Sequence, residues 1–519
     1  MTTLVLVRRF LTDYVRNPVN LLLLALIPTV FVVVVGGSLS DFTKLLGGPP
    51  GSSVQTATAG WAAAFLAGIA MYFQTAATRD TDRRVVIAGL PASRLALARL
   101  LTGACLALLA ATTALIALAA RTGIDSPLRA VAGTLMFAVI YVAIGAGVGS
   151  VVSSPVNGTV IVLFVWILDV FFGPAMGASD RLATRGLPTH FVTVWMLNLP
   201  SGHGGPIGDL GWALLTTIAA AVAAWALVAT RSRTAHVKAR RTRPGSRFEQ
   251  AVAAWRAAWQ DARRNPTLWV LFVIVPVVFI LGADAITPNT PITFFLTGPN
   301  GLVPHAFTML EVHDATMAPI AVGSLAALVG LFTVLDSHGG DRRAALSGLR
   351  PASLLTARLG VLLFAALGAT AISLATTALV FHAEHWPTYA AANLLIAVTY
   401  GLIGALLAPI FGRVGGVFIA FLLPFLDLGI AQSAMLHATP TAGSTLLPGY
   451  GGSRVLLDGA LLGTFDDWAA LWVGLGWVVV LAVAVTVVYW RATRPAHTPA
   501  AAAPVPAGRT AGRHELAQR

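Results

Sequence analysis

Two Asp-Arg-Arg triplets, Asp82-Arg83-Arg84 and Asp341-Arg342-Arg343, interrupt a chain that is otherwise poor in charge. Arginine forks match carboxylates in a bidentate way, so Arg83, Arg84, Arg342 and Arg343 suit docking to an acidic surface on a partner. Gly89 and Gly348 follow the triplets and can end a short helix. Pro91-Ala92-Ser93 and Pro351-Ala352-Ser353 can start the next. Basic loops also arise from membrane topology alone. Asp169 and Asp427 are a second pair, each inside an apolar stretch. A carboxylate in hydrocarbon is costly, so both are functional candidates; the alternative is a structural hydrogen bond. His382, Glu384 and His385 have metal-like spacing, but a short solvated loop explains them as well, and no metal site is assigned. Lys44 and Lys238 are the only lysines, and neither precedes Ser or Thr, so there is no GxxxxGK[ST] phosphate cradle. No acid, base and nucleophile cluster, so the chain is not read as an enzyme.

These residues recur because the chain repeats itself. Asp13-Tyr14-Val15-Arg16-Asn17-Pro18 returns as Asp261-Ala262-Arg263-Arg264-Asn265-Pro266, and Ala98-Arg99-Leu100 as Ala357-Arg358-Leu359. Tyr141 with Gly145 returns as Tyr400 with Gly404, and Leu168-Asp169 as Leu426-Asp427. Leu187-Pro188 returns as Leu447-Pro448. Order is kept, and the offset stays between 248 and 260 residues. Such spacing marks two related units in one chain.

The elements that carry them are membrane helices. Of the 519 residues, 56% are hydrophobic and 11% charged, whereas soluble domains carry roughly a quarter charged residues. Apolar stretches predict six spans per half, each near the length that crosses a bilayer. They fall at 19–37, 57–77, 98–119, 130–152, 156–174 and 211–230, then 267–283, 316–335, 357–380, 390–411, 414–431 and 468–489. With the N-terminus inside, all of the 34 lysines and arginines lie on inner segments except Lys44, Arg121, Arg129, Arg181, Arg185 and Arg454. That bias is the positive-inside signature, with both termini cytoplasmic. The net charge of +13 therefore belongs to a membrane surface and not to nucleic acid. The start of the chain does not read as a cleavable signal, since Arg8, Arg9, Asp13 and Arg16 break the apolar run. Cys105 falls inside a span, as a small buried hydrophobe. A basic linker over 231–250 divides a first six-span domain (1–240) from a second (241–494). A Pro- and Ala-rich disordered tail is expected over 495–519.

Each half opens with an amphipathic stretch. Val7, Phe10, Leu11 and Tyr14 form one apolar stripe, and Val252, Trp255, Trp259 and Ala262 the other. Helices of this kind lie flat in the membrane interface with their arginines at headgroup level. Arg16-Asn17-Pro18 and Arg264-Asn265-Pro266 then turn the chain into the first span.

Together these features resemble the membrane subunits of type-2 ATP-binding cassette (ABC-2) exporters, in the fused double-length form found among bacterial antibiotic and polyketide exporters. The resemblance runs over nearly the whole chain: the Arg-Asn-Pro interfacial helices, the six spans per half, and the loops at Arg83-Arg84 and Arg342-Arg343. It includes the outer segments with Leu187-Pro188 and Leu447-Pro448-Gly449-Tyr450-Gly451. It implies an all-α polytopic protein of about 12 transmembrane helices in two tandem domains, in a bacterial plasma membrane, whose halves pack around a central path. The loops near 79–99 and 336–358 would be coupling helices. Two short outer helices per half would cap the path. Two copies of a separate ATPase would bind ATP and Mg, with no cofactor on this chain. The substrate would be a hydrophobic or amphipathic compound such as an antibiotic, drug or lipid-like molecule. Thr189-His190 against Gly449-Tyr450 departs from strict symmetry and puts equal roles for the halves in doubt. The rival reading is a proton-coupled transporter of the major facilitator kind, which also has six plus six spans and an Asp-Arg-Arg loop.

Overall fold

The computed structural model describes residues 3–16, 18–45, 48, 51–176, 182–232, 266–298, 301–337, 340–341 and 351–493. Among them, ten helices are long and apolar enough to cross a membrane, which is the build of a multi-pass membrane protein. The first half comprises α1 (Thr3–Val15), α2 (Pro18–Val30), α3 (Gly36–Leu45), α4 (Gly51–Ile87), α5 (Ala92–Thr122), α6 (Pro127–Val151), α7 (Pro155–Phe171), α8 (His190–Leu197) and α9 (Gly205–Arg231). The second comprises α10 (Pro266–Ile286), β1 (Pro291–Gly298), β2 (Gly301–Thr308), α11 (Met309–Leu335), α12 (Pro351–Thr377), α13 (Trp386–Pro424), α14 (Gly449–Leu461) and α15 (Trp468–Thr493). The expected linker from 233 onward, Trp255, Trp259, Arg264, Asn265 and the tail lie outside the described residues.

Several boundaries have clear local causes. Proline inside a helix removes one backbone donor and crowds the preceding turn. After Pro28 the ladder loosens into a π turn over Phe31–Val35 before α3 begins. The Arg121 guanidinium reaches across from α5 and donates to the carbonyls of Val32 and Val33, the first at 2.8 Å. At 152–154 the chain leaves the helix, and the Ser154 side chain caps α7. The corresponding place in the second half is a break inside α13, where Gly412 adopts φ 63°, a conformation that favours glycine. The expected spans 390–411 and 414–431 thus meet at this break, with Gly412 outside helical geometry between them. α7, with 17 residues, falls just below the length of the other apolar helices.

Three sequence expectations need correction. The chain is not wholly helical: β1 and β2 form an antiparallel hairpin, with Phe294 opposite His305. Alternation buries Phe294 and Leu296 on one face, a period-2 signal too short to stand out in an apolar sequence. Cys105 is exposed on α5 rather than buried, because the span has a lipid side that its composition does not reveal. The Asp82-Arg83-Arg84 loop is no separate helix, since α4 runs unbroken through it to Ile87.

Each half is built on one close helix pair, α4 with α6 and α11 with α13. Without a hydrophobic force between helices in lipid, close approach depends on small residues. Gly145 of α6 lies so near α4 that a methyl group there would overlap the Gly68 carbonyl, and Gly404 of α13 lies equally near the Ala327 carbonyl of α11. The recurrence of Gly145 as Gly404 thereby acquires a cause. Gly145→Ala and Gly404→Ala should each destabilise the protein by about 1–3 kcal/mol through overpacking. Gly147→Ala, whose methyl would meet only Leu227 at 3.6 Å, should change little. Thermal unfolding in detergent of the three variants checks this.

Candidate functional site: paired clamps around a midline

The arginine-rich rim is organised by a buried ion pair. Asp82, one turn from the end of α4, receives Arg99 of α5 through two bonds, Nη2 to Oδ1 at 2.6 Å and Nε to Oδ2 at 3.1 Å. The Arg99 guanidinium also lies 3.7 Å from the centroid of the Phe10 ring on α1. One side chain therefore ties the amphipathic first helix to the α4–α5 turn. The second half repeats the clamp: Arg358 reaches Asp341 at 2.9 and 3.4 Å, and the Tyr489 hydroxyl donates to Asp341 at 2.7 Å. Both triplets thus spend their aspartate internally. Arg83 and Arg84, which follow the first, do not share that role. Arg83 is 3.7 Å from Asp80 and partly buried, Arg84 is exposed, and Gly89 turns the chain at φ 102°. Arg342, Arg343 and Gly348 lie outside the described residues. So does Asn17, whereas Arg16 is exposed beside Asp13 at 3.3 Å, and Pro18 and Pro266 open α2 and α10.

Asp169 stands near the end of α7, and Asp427 in the π turn Phe425–Ala431 that follows α13; both serve as anchors. Asp169 accepts from the Tyr141 hydroxyl at 3.0 Å, the Thr189 hydroxyl at 2.6 Å and the Thr189 N–H at 3.2 Å. Asp427 accepts from the Tyr400 hydroxyl at 2.6 Å, the Gly449 N–H at 2.7 Å and Gln432 Nε2 at 3.1 Å. In each half the carboxylate grips the start of a short helix, α8 or α14, where unpaired N–H groups and the helix dipole favour negative charge. Both carboxylates are thus hydrogen-bonded within the bundle.

The rim beyond these anchors is unequal. In the second half, Arg454 of α14 reaches Asp467 at 3.2 Å, the Phe295 carbonyl at 3.1 Å and Thr297 Oγ1 at 3.0 Å, pinning the hairpin. Asp458 accepts from the N–H groups of Asp466 and Asp467, and burial pushes its carboxyl up to about 6. In the first half, Ser201 and His203 surround Asp209 instead, with Ser201 Oγ at 2.7 Å and His203 Nδ1 at 3.3 Å. The His382–His385 loop is strapped to α14 by backbone bonds, Glu384 N–H to Ala460 and His385 N–H to Gly459. Among the described residues no group of three ligands converges.

Between the halves runs an aromatic seam. Phe65 packs on Trp166 at 5.0 Å and on Phe418 at 5.1 Å, Trp166 on Phe421 at 5.9 Å, and Phe171 on Phe279 and Phe425 at 6.1 and 5.6 Å. Beside the seam both halves line a cavity that includes Phe171, Phe279, Phe425, His313, Thr316 and Ser433. It admits about 60 Å³ of water-sized solvent, room for about four waters, so a larger molecule must part the rings. A wider vestibule, about 380 Å³ on the same measure, opens between Tyr14, Asn20 and Gln74 of the first half and the Gly412 break of the second. The Tyr14 hydroxyl and Gln74 Oε1 are buried there with no partner among the described residues, and burial pushes the Tyr14 hydroxyl up to about 12. At the break, Arg413 pairs with Asp336 at 3.1 Å. Burial raises the Asp336 carboxyl, and Arg413 opposes the rise.

His313 and its neighbour Asp314 escaped the sequence reading. His313 is 3% exposed, with its Nδ1 against the Thr287 hydroxyl and its ring 5.5 Å from Phe42. Two signals could have found them. One is the Thr308…Glu311 capping box, present as a reciprocal pair, which starts α11 at Met309 rather than at 316. The other is two adjacent ionisable residues inside a helix that is otherwise apolar. No protein-family model matches the chain, and no curated protein matches it.

Two measurements test these assignments. Removing one partner of a buried ion pair strands the other charge, so Asp82→Ala or Arg99→Ala should each destabilise by about 3–5 kcal/mol. The apolar pair Asp82→Leu with Arg99→Met should recover much of the loss, and thermal unfolding of the cycle reads it. Asp458 bears on pH. Folding raises its pKa, so the folded corner holds the proton more tightly than the unfolded chain does. Its contribution is greatest below the ordinary carboxylate range and is lost as pH rises through about 6. Hydrogen exchange at α14 should therefore speed up between pH 5 and pH 7 beyond the intrinsic rate, and Asp458→Asn should flatten the response.

Proposed function

We propose that the chain is the permease of an ATP-driven exporter of the ABC-2 type, with two six-span halves whose arginine-rich rims face the cytoplasm. The observation that carries the reading is the doubled design. Each half has its own clamp, Asp82–Arg99 or Asp341–Arg358, and its own anchor, Asp169 or Asp427, while the two halves share one midline cavity. Such an object can alternate between states if something acts on both rims at once. Arg83 and Arg84 stand on the α4 extension beyond the clamp, where a partner's carboxylates can reach them. Because Arg99 touches Phe10, a push there moves α1 along with α5. ATP and Mg would sit on a separate partner subunit in two copies, whose energy acts only through contacts that differ between states. The cargo would be a hydrophobic or amphipathic compound, since the cavity is walled by rings and has no carboxylate or guanidinium in its lining.

One observation favours proton coupling as a second reading. His313 borders the cavity, and Asp314 beside it is 2% exposed with a buried oxygen lacking a hydrogen-bond partner among the described residues. The discriminating experiment is reconstitution. Under the exporter reading, proteoliposomes need the partner ATPase and ATP for transport. Charge reversal of Arg83, Arg84, Arg342 and Arg343 to Glu should leave basal ATPase intact and abolish its stimulation by substrate. Transport by this chain alone, driven by a pH gradient, would replace the exporter reading with the second one.

A further inference from the structure

The membrane-facing side of the first half carries a groove bounded by α5, α6 and α9. Its α5 wall includes Arg94, Leu97, Leu101 and Ala104, spaced three, four and three residues apart, hence on one helix face, with Ser93 and Leu100 beside them. Ten residues of helix rise about 15 Å, half of a hydrocarbon core of about 30 Å. The groove is therefore one leaflet deep. Leu97 and Leu101 are 44% and 40% exposed, so this wall is open to the outside of the bundle. In a bilayer such a cleft must be filled by acyl chain, because neither water nor vacuum is a cheaper occupant.

The upper end of the groove is polar and built for one headgroup. Arg94 sits in the first turn of α5 and makes no salt bridge among the described residues. Trp225 of α9 closes the other side, its indole N–H donating to the Ser93 carbonyl at 3.1 Å. Tryptophan at this depth marks the interfacial layer, and an unpaired arginine there draws anionic lipid. The second half lacks the device: Pro91-Ala92-Ser93-Arg94 returns as Pro351-Ala352-Ser353-Leu354, Leu354 is buried, and α15 has no tryptophan between Trp477 and Trp490. We propose that this groove is a binding site for one anionic phospholipid, its acyl chain along Leu97, Leu101 and Ala104 and its phosphate on Arg94, in the first half alone. The site rests on membrane embedding and not on any reading of transport.

The test uses the full chain in mild detergent, with native mass spectrometry against added phosphatidylglycerol or phosphatidylcholine. The wild type should retain one phosphatidylglycerol in preference to phosphatidylcholine. Arg94→Gln should weaken phosphatidylglycerol retention about fivefold, the effect of one arginine near an anionic headgroup. It should leave phosphatidylcholine unchanged. Ala221→Trp, which fills the groove, should weaken both. Quenching of Trp225 by brominated phosphatidylglycerol, taken as the difference from Trp225→Phe, reports occupancy even where a variant yields little protein. Equal retention of the two lipids by the wild type, or unchanged selectivity in Arg94→Gln, would overturn the proposal. So would a protein dimer whose formation Ala221→Trp abolishes, since a second copy would then be the occupant.

Discussion

A bilayer core holds no water to satisfy a stray polar group, and most of the polar geometry in this protein follows from that fact. Where helices end or loosen inside the bundle, a side chain arrives to take up the freed backbone atoms. Arg79 donates to the Val152 carbonyl at 3.0 Å and the Ser153 hydroxyl at 2.7 Å, closing the end of α6. Arg121 does the same for the π turn after Pro28, and the Tyr72 hydroxyl for the Ser154 carbonyl at 2.8 Å. Asp169 and Asp427 invert the arrangement, offering acceptors to helix starts. Each such contact joins two elements that are distant in sequence, so satisfying the backbone also fixes the tertiary arrangement.

The same economy explains what the two halves share and where they part. Clamps, anchors and close-packing glycines recur because each half faces the same problem of ending and packing helices in lipid. The parts that need not satisfy that demand have diverged. One half puts a β-hairpin pinned by Arg454 where the other has the short helix α3. His313 lines the cavity from one side only, and the second half has Leu354 where the first has Arg94.

The seam between the halves differs in kind from the cores within them. Inside each half, backbones meet at glycine with little room to slide. At the midline, large rings meet edge to face over 5–6 Å, contacts that survive rotation of one ring against another. The breaks at 152–154 and at Gly412 lie on helices that border this seam, and the vestibule opens at the second of them.

The sequence alone determined that the chain is apolar enough to cross a membrane many times, that it is duplicated, and which residues recur. Span length, hydropathy and repetition are local or one-dimensional properties, and a chain carries them before it folds. It could not say why Asp82 and Arg99 recur together, because they stand seventeen positions apart on two different helices and only the α4–α5 packing brings them within 2.6 Å. Nor could it show what Asp169 holds, since its partner Thr189 arrives from another element. The lipid side of α5, with Cys105 exposed and Arg94 unpaired, was equally invisible. In a helix made of alanine, leucine and valine, every face has nearly the same transfer energy, so orientation is decided by which neighbours fit and not by which residues prefer water.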